Sequence, residues 1–158
     1  MIVEVYTDAS VRESSYCISF QVYSDRYSAI CRKYFDHTYD NNLAEMYAIY
    51  IALKHLSYLY RSKGFELHLY TDNKNAVNLI SNEFISEKYK DIKILLKNIL
   101  ENFKSCKFYH IKAHTNAKDV HSRRNWLADR LCKESYKEKN SKFYLLYNFL
   151  DKKNQYIA

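Results

Sequence analysis

Four carboxylates stand where apolar runs end or helical patterns begin. Asp8 lies in Tyr6-Thr7-Asp8-Ala9-Ser10, Glu45 in Asn41-Asn42-Leu43-Ala44-Glu45, Asp72 in Tyr70-Thr71-Asp72-Asn73, and Asp129 in Asn125-Trp126-Leu127-Ala128-Asp129. Each has an ordinary explanation. Asp8 and Asp72 suit turns at strand ends. Glu45 complements the dipole in the first turn of a helix, and Asp129 can pair with Lys133 four residues on. As a set they point further. Two adjacent strand ends and two helix starts can bring four acids to one point, where repulsion and desolvation call for bound cations. Ligation by carboxylate oxygens alone selects Mg²⁺ or Mn²⁺ over zinc.

Positioning such a set requires a particular series of elements. Residues 2–7 read as a β-branched strand ending at Asp8. Residues 16–22 alternate with period two, and residues 27–35 resume after the turn Ser24-Asp25-Arg26, giving an antiparallel meander. From Asn42 to about residue 60 the apolar positions recur at helical spacing. Ala44, Ala48 and Ala52 permit close packing on a sheet, Asp40 or Asn41 can cap the start, and Gly64 suits the position just past the end. Residues 66–71 form a fourth strand, and a short helix around Ala76, Val77 and Ile80 follows. Over residues 88–103, Ile92, Leu95, Leu96, Ile99, Leu100 and Phe103 mark the clearest amphipathic helix. Residues 106–113 are the fifth strand. A polar loop runs from His114 to about Arg123, and a helix carrying Trp126, Leu127 and Leu131 extends to about Lys139. The apolar segment 143–150, in an extension spanning 139–158, reads as an extra helix packed on the domain or as a partner-binding element, with packing preferred. The order βββαβααβα predicts an α/β fold, a five-stranded mixed sheet with helices on its faces.

Composition excludes several chemistries. The 158 residues include one Gly and no Pro, where roughly 11 and 8 are usual for this length. A dinucleotide fingerprint, a P-loop and a serine-hydrolase elbow each need more than one glycine, so no nucleotide cofactor is expected. Cys17, Cys31, Cys106 and Cys132 form no C-x-x-C pair and sit among apolar residues. They read as buried free thiols, so a cytoplasmic or other reducing intracellular compartment is expected. No leader-like segment follows Met1 and no apolar run has the length of a membrane span, so no membrane association is expected. The net charge of +7 is uneven: residues 1–79 hold 8 basic and 9 acidic side chains, residues 80–158 hold 17 and 9. A basic half suits a polyanionic partner, although a solvated Lys-rich surface has the same composition.

With these pieces in this order, the sequence resembles a type 1 ribonuclease H. The resemblance covers residues 1–138 and rests on Tyr-Thr-Asp8, Asn-Asn-x-Ala-Glu45, Tyr-Thr-Asp72, and Lys-Ala-His114 followed by Asn125-x-x-Ala-Asp129. It implies a ribonuclease H-like fold and hydrolysis of the RNA strand of RNA–DNA hybrids, leaving 5′-phosphate and 3′-hydroxyl ends. It further implies that Asp8, Glu45, Asp72 and Asp129 hold two Mg²⁺ ions, with Mn²⁺ as a substitute. By the same resemblance, His114 assists proton transfer or product release from a loop, with His121 as its rival. Asn41 and Asn42 match the amides that read a 2′-hydroxyl or a base edge in the minor groove. Asn73 is a further strand contact, and Ser10, Lys118, Arg123 and Arg124 are candidate nucleic-acid contacts. The chain departs from the pattern at two places. The glycine-rich stretch after the first aspartate is Ala9-Ser10-Val11-Arg12-Glu13, and Asp40 stands where a threonine is common. Only 42 positions separate Asp72 from His114, too few for a long basic protrusion, and Lys88, Lys90, Lys93 and Lys97 offer a partial replacement. A monomer acting on an RNA–DNA hybrid is therefore expected. The rivals are a non-catalytic nucleic-acid-binding domain and another nuclease of the same fold.

Overall fold

The structure is a computed structural model describing residues 1–25, 27–59, 65–81, 86–112 and 119–148. The sheet has six strands: β1 (Ile2–Val11), β2 (Tyr16–Tyr23), β3 (Tyr27–Phe35), β4 (Glu66–Thr71), β5 (Ser105–His110) and β6 (Lys142–Asn148). Four helices accompany them: α1 (Asn41–Leu59), α2 (Lys74–Ser81), α3 (Lys90–Leu100, entered through a 3₁₀ turn at Glu87–Tyr89) and α4 (Val120–Glu138). The strand order is β5-β4-β1-β2-β3-β6. β1 pairs with β4 and β4 with β5 in parallel, and the remaining neighbours are antiparallel.

The two faces of the sheet carry different chemistry because strand side chains alternate. Val3 and Val5 of β1, Phe20 and Val22 of β2, and Leu67 and Leu69 of β4 join Met46, Ile49, Leu53 and Leu56 of α1 in the main core. Ala44, Ala48 and Ala52 are fully buried, and their small side chains let α1 lie close to the sheet. α1 also packs against α3, whose Ile92, Leu96 and Ile99 enter the same core. This explains why α1 is apolar around much of its circumference. α4 crosses the opposite face over β1, β2 and β3. Its attachment is largely polar: Ser19 Oγ donates to the Ala128 carbonyl at 2.7 Å, and Gln21 Nε2 to the Arg124 carbonyl at 2.6 Å. Arg32, 1 % exposed on β3, donates to Glu138 at 2.7 Å and lies 3.5 Å from Glu134. Arg32→Ala should therefore destabilise the fold by about 2 kcal/mol or more, since it leaves a cavity in place of a large, fully buried side chain. Chemical denaturation checks this, and a change below about 0.5 kcal/mol would contradict it.

Three expectations change. Residues 143–148 are not helical: residues 142–148 form β6 on the edge of β3, with Cys31 opposite Phe143, and residues 149 and 150 lie outside the described residues. An otherwise open edge accepts a strand rich in aromatic and apolar residues, and pairing satisfies its backbone. The sheet thus has six strands rather than five. β1 does not end at Asp8 but continues to Val11, because β2 still pairs there after β4 has stopped at Tyr6. α4 begins at Val120, so Arg123 and Arg124 are helical rather than in a loop. Asp119 caps this helix by accepting from the Ser122 amide at 2.9 Å, and its polar first turn gives no apolar period to read. Trp126 on α4 is 60 % exposed. Gly64 lies outside the described residues.

Candidate active site

Parallel pairing of β1 with β4 places their C-terminal ends side by side. Asp8 continues β1 just beyond the last paired residue, and Asp72 follows β4 directly. α1 starts beside them because Asp40 caps it: Asp40 Oδ1 accepts from the Leu43 amide at 2.9 Å, and the Asp40 carbonyl from the Ala44 amide at 3.0 Å. One turn later Glu45 points down at the strand ends. Carboxylate oxygens of Asp8, Glu45 and Asp72 all lie within 4.8 Å of one another. Asp8 and Glu45 are buried, and Asp72 is half-buried.

Asp129 is not within that group of three but lies near enough for its charge to act on Asp8. Lys133 Nζ donates to Asp129 Oδ2 at 2.7 Å. This exposed i,i+4 pair is weak because solvent screens it, a small obstacle to a divalent cation. α4 also contributes Asn125, buried, whose Nδ2 donates to Asp72 Oδ2 at 3.5 Å. The sequence reading used Asn125 only as part of a motif. The signal for a role was its spacing, four residues before Asp129 and on the same helix stripe. His110 Nε2 lies 3.1 Å from the Asp72 carbonyl.

Burial, then the charges of Asp72 and Asp129, pushes the Asp8 carboxyl up to about 8. Burial, then Asp8 and Asp72, holds Glu45 well above the usual carboxylate range. Glu45 Oε2 is fully buried with no hydrogen-bond partner among the described residues. An all-carboxylate donor set with an unpartnered buried oxygen fits hard divalent cations, which supply the missing positive charge. Above pH 4 the unfolded chain releases these protons while the metal-free fold retains them, so the bare protein loses stability as pH rises towards 8. Mg²⁺ should therefore raise Tm more at pH 8 than at pH 5.5. Thermal melts in EDTA and in Mg²⁺ check this, and an equal shift at both pH values would contradict it.

The remaining candidates are placed as follows. Asn42 Oδ1 accepts from Asn73 Nδ2 at 3.4 Å, so these two amides meet beside the carboxylates. Asn41 is exposed at the first position of α1. Asn73 also caps α2, accepting from the Ala76 amide at 2.8 Å. Ser10 lies beyond Asp8 on β1, and its carbonyl accepts from the Tyr136 hydroxyl. Arg123 is exposed on α4, whereas the Arg124 guanidinium covers the Tyr23 ring at 3.7 Å and reaches Tyr6 Oη at 3.2 Å. His121 stacks on Tyr70 at 4.5 Å, and its Nδ1 lies 2.5 Å from Tyr6 Oη. His114 and Lys118 lie outside the described residues. Lys88 pairs with Asp40 at 2.9 Å.

Comparison with known proteins agrees with this geometry. The sequence model of the RNase H family, described as RNase H, matches residues 1–137. No curated protein sequence matches significantly. Among solved structures, LC11-RNase H1 in complex with an RNA/DNA hybrid is similar, with a TM-score of 0.71 at 19 % identity, covering 87 % of this chain and 98 % of that one. RNase H1 from the halophilic archaeon Halobacterium salinarum NRC-1 gives 0.70 at 17 %, covering 87 % and 99 %. The N-terminal RNase H domain of a Mycobacterium tuberculosis protein gives 0.69 at 16 %, covering 87 % and 94 %. These identities speak for the fold, and the match of the family model over most of the length speaks for the lineage. The chain belongs to the RNase H family of ribonucleases.

Proposed function

We propose that this protein hydrolyses the RNA strand of RNA–DNA hybrids, leaving 5′-phosphate and 3′-hydroxyl ends, with two Mg²⁺ ions held by Asp8, Glu45, Asp72 and Asp129. The observation that carries this reading is the convergence of three carboxylates within 4.8 Å, one of them buried with an oxygen that has no hydrogen-bond partner among the described residues. When bound, the ions supply Lewis-acid charge for an attacking water and for the departing 3′ oxygen. The chain supplies the frame. Asp8 and Asp72 are fixed by their strands, Glu45 by the capped start of α1, and Asn125 holds one oxygen of Asp72. Asp129 stands at the solvent side, where exchanging Lys133 for a cation costs little. Asn41 and Asn42 offer amides that can both donate to and accept from a 2′-hydroxyl. His114 serves proton transfer or product release. All these groups come from one chain, consistent with a monomer. No helix among the described residues is long and apolar enough to cross a membrane.

The test compares labelled hybrid, double-stranded RNA, double-stranded DNA and single strands, each with Mg²⁺ or EDTA. Cleavage confined to the RNA strand of the hybrid, and only with Mg²⁺, is expected. Hybrid binding without cleavage would make this a binding domain. Cutting of DNA duplex at a comparable rate would make it another nuclease of this fold.

A further inference from the structure

A groove of about 490 Å³ opens on the α1 side of the sheet, between the second half of α1 and the β3–β6 edge. Its walls include Tyr50, Lys54, His55 and Tyr58 from α1, Lys33 from β3 and Phe143 from β6. From Glu45 to Lys54 the helix rises about 14 Å, at 1.5 Å per residue, so the groove is separate from the carboxylate cluster. Phe143 also lies C-terminal to the 1–137 stretch matched by the family model. One wall of the groove is therefore supplied by an element outside that match.

Two features define what the groove can hold. The first is its rings. Tyr58 is 71 % and Phe143 49 % exposed, so one ring from α1 and one from β6 line the groove with faces open to solvent. The His55 ring lies 5.2 Å from Phe143, and its Nε2 is 2.9 Å from Tyr27 Oη, so it is anchored in place. Burial and then Lys33 lower the His55 pKa, which leaves a neutral imidazole among the rings. The second feature is charge. Lys33 and Lys54 have no carboxylate within ion-pair distance among the described residues. Aromatic walls with two uncommitted ammonium groups complement a planar ring that carries phosphates. An acyl chain would use the apolar walls but leave the second ammonium without a counter-charge.

We infer that this groove binds single-stranded nucleic acid, taking one base among the rings of Tyr58, His55 and Phe143 and the flanking phosphates on Lys33 and Lys54. Sequence-tolerant stacking beside a basic rim is the general mode of single-strand binding. The groove's existence does not depend on the hydrolytic reading, because binding is measured without hydrolysis.

The experiment titrates the full ¹⁵N-labelled chain in EDTA with an oligothymidylate, an oligouridylate, an abasic deoxy-oligomer of equal length and charge, and decanoate. Both base-bearing oligomers should shift amides of residues 50–58 and 143, and the abasic oligomer should bind at least about tenfold more weakly. Tighter binding of the thymidylate or of the uridylate then identifies the strand as DNA or RNA. The double variant Lys33→Glu, Lys54→Glu should weaken binding at least about tenfold. Tyr58→Ala, at an exposed position, should weaken it severalfold without changing Tm. Cleavage of a blunt hybrid should stay at the wild-type rate in both variants. Equal binding of the abasic oligomer, decanoate binding as well as the oligothymidylate, or shifts confined to the carboxylate end would each overturn the assignment.

Discussion

Asp72→Asn is expected to lower hybrid cleavage by at least about 100-fold, more than the loss typical of a residue that only supports a ligand, while hybrid binding and the fold persist. The amide has the shape of the carboxylate and can keep a hydrogen bond near Asn125, so the local packing changes little. What disappears is one negative charge from the group that converges within 4.8 Å. The Asp72 charge is among the causes that raise Asp8 and Glu45. Its removal relieves repulsion, and the variant should melt at the same or a higher temperature than wild type in EDTA at pH 8. Its stabilisation by Mg²⁺ should shrink. The two readouts separate loss of chemistry from loss of structure. Near-normal Mg²⁺-dependent cleavage by the variant would remove Asp72 from the metal site and with it the four-acid assignment.

The second large effect is expected at Asn41 and Asn42. A hybrid and a DNA duplex carry similar phosphate charge, so lysine and arginine do not distinguish them. Discrimination has to come from groove shape and from the 2′-hydroxyl. Each lost hydrogen bond costs on the order of 1 kcal/mol, so changing both residues to alanine should lower hybrid cleavage severalfold or more. Binding to plain DNA duplex should barely change. Helix capping was the competing role for these amides, and the structure assigns the cap to Asp40. The double variant should therefore keep wild-type thermal stability. Wild-type cleavage by a stable double variant would locate the 2′-hydroxyl reader elsewhere.

What could be read without coordinates was whatever the chain encodes locally. Strand period, as in residues 16–22 and 27–35, follows from side chains alternating between two faces with different partners: β2, buried from Tyr16 to Val22, sends Ile18, Phe20 and Val22 to the α1 side and Ser19 and Gln21 to α4. The amphipathic period of 92–103 follows from a single buried stripe, and α3 buries Ile92, Leu96 and Ile99. The order of elements around Asp8, Glu45 and Asp72 was sufficient to anticipate that they meet, because parallel strands and a capped helix start admit few other placements.

Tertiary structure alone decided the features whose physics is not periodic. β6 became a strand because β3 offered an unpaired edge, a property of the assembled sheet and not of residues 142–148. The start of α4 depends on one side-chain cap, with Arg124 and His121 packed on tyrosine rings from β1, β2 and β4, contacts that leave no apolar pattern in the sequence. Asp40 rather than Asn41 took the cap, a choice between neighbouring residues that only the path of the chain into α1 makes. The groove beside Phe143 exists because α1, β3 and β6, far apart in sequence, leave a gap where they meet. The sequence by itself determined which residues carry charge, bury surface and repeat with a period. Which oxygens converge, which amides stay open and which strand closes the sheet were decided by long-range packing, because those outcomes depend on the partners each residue meets and not on its neighbours in the chain.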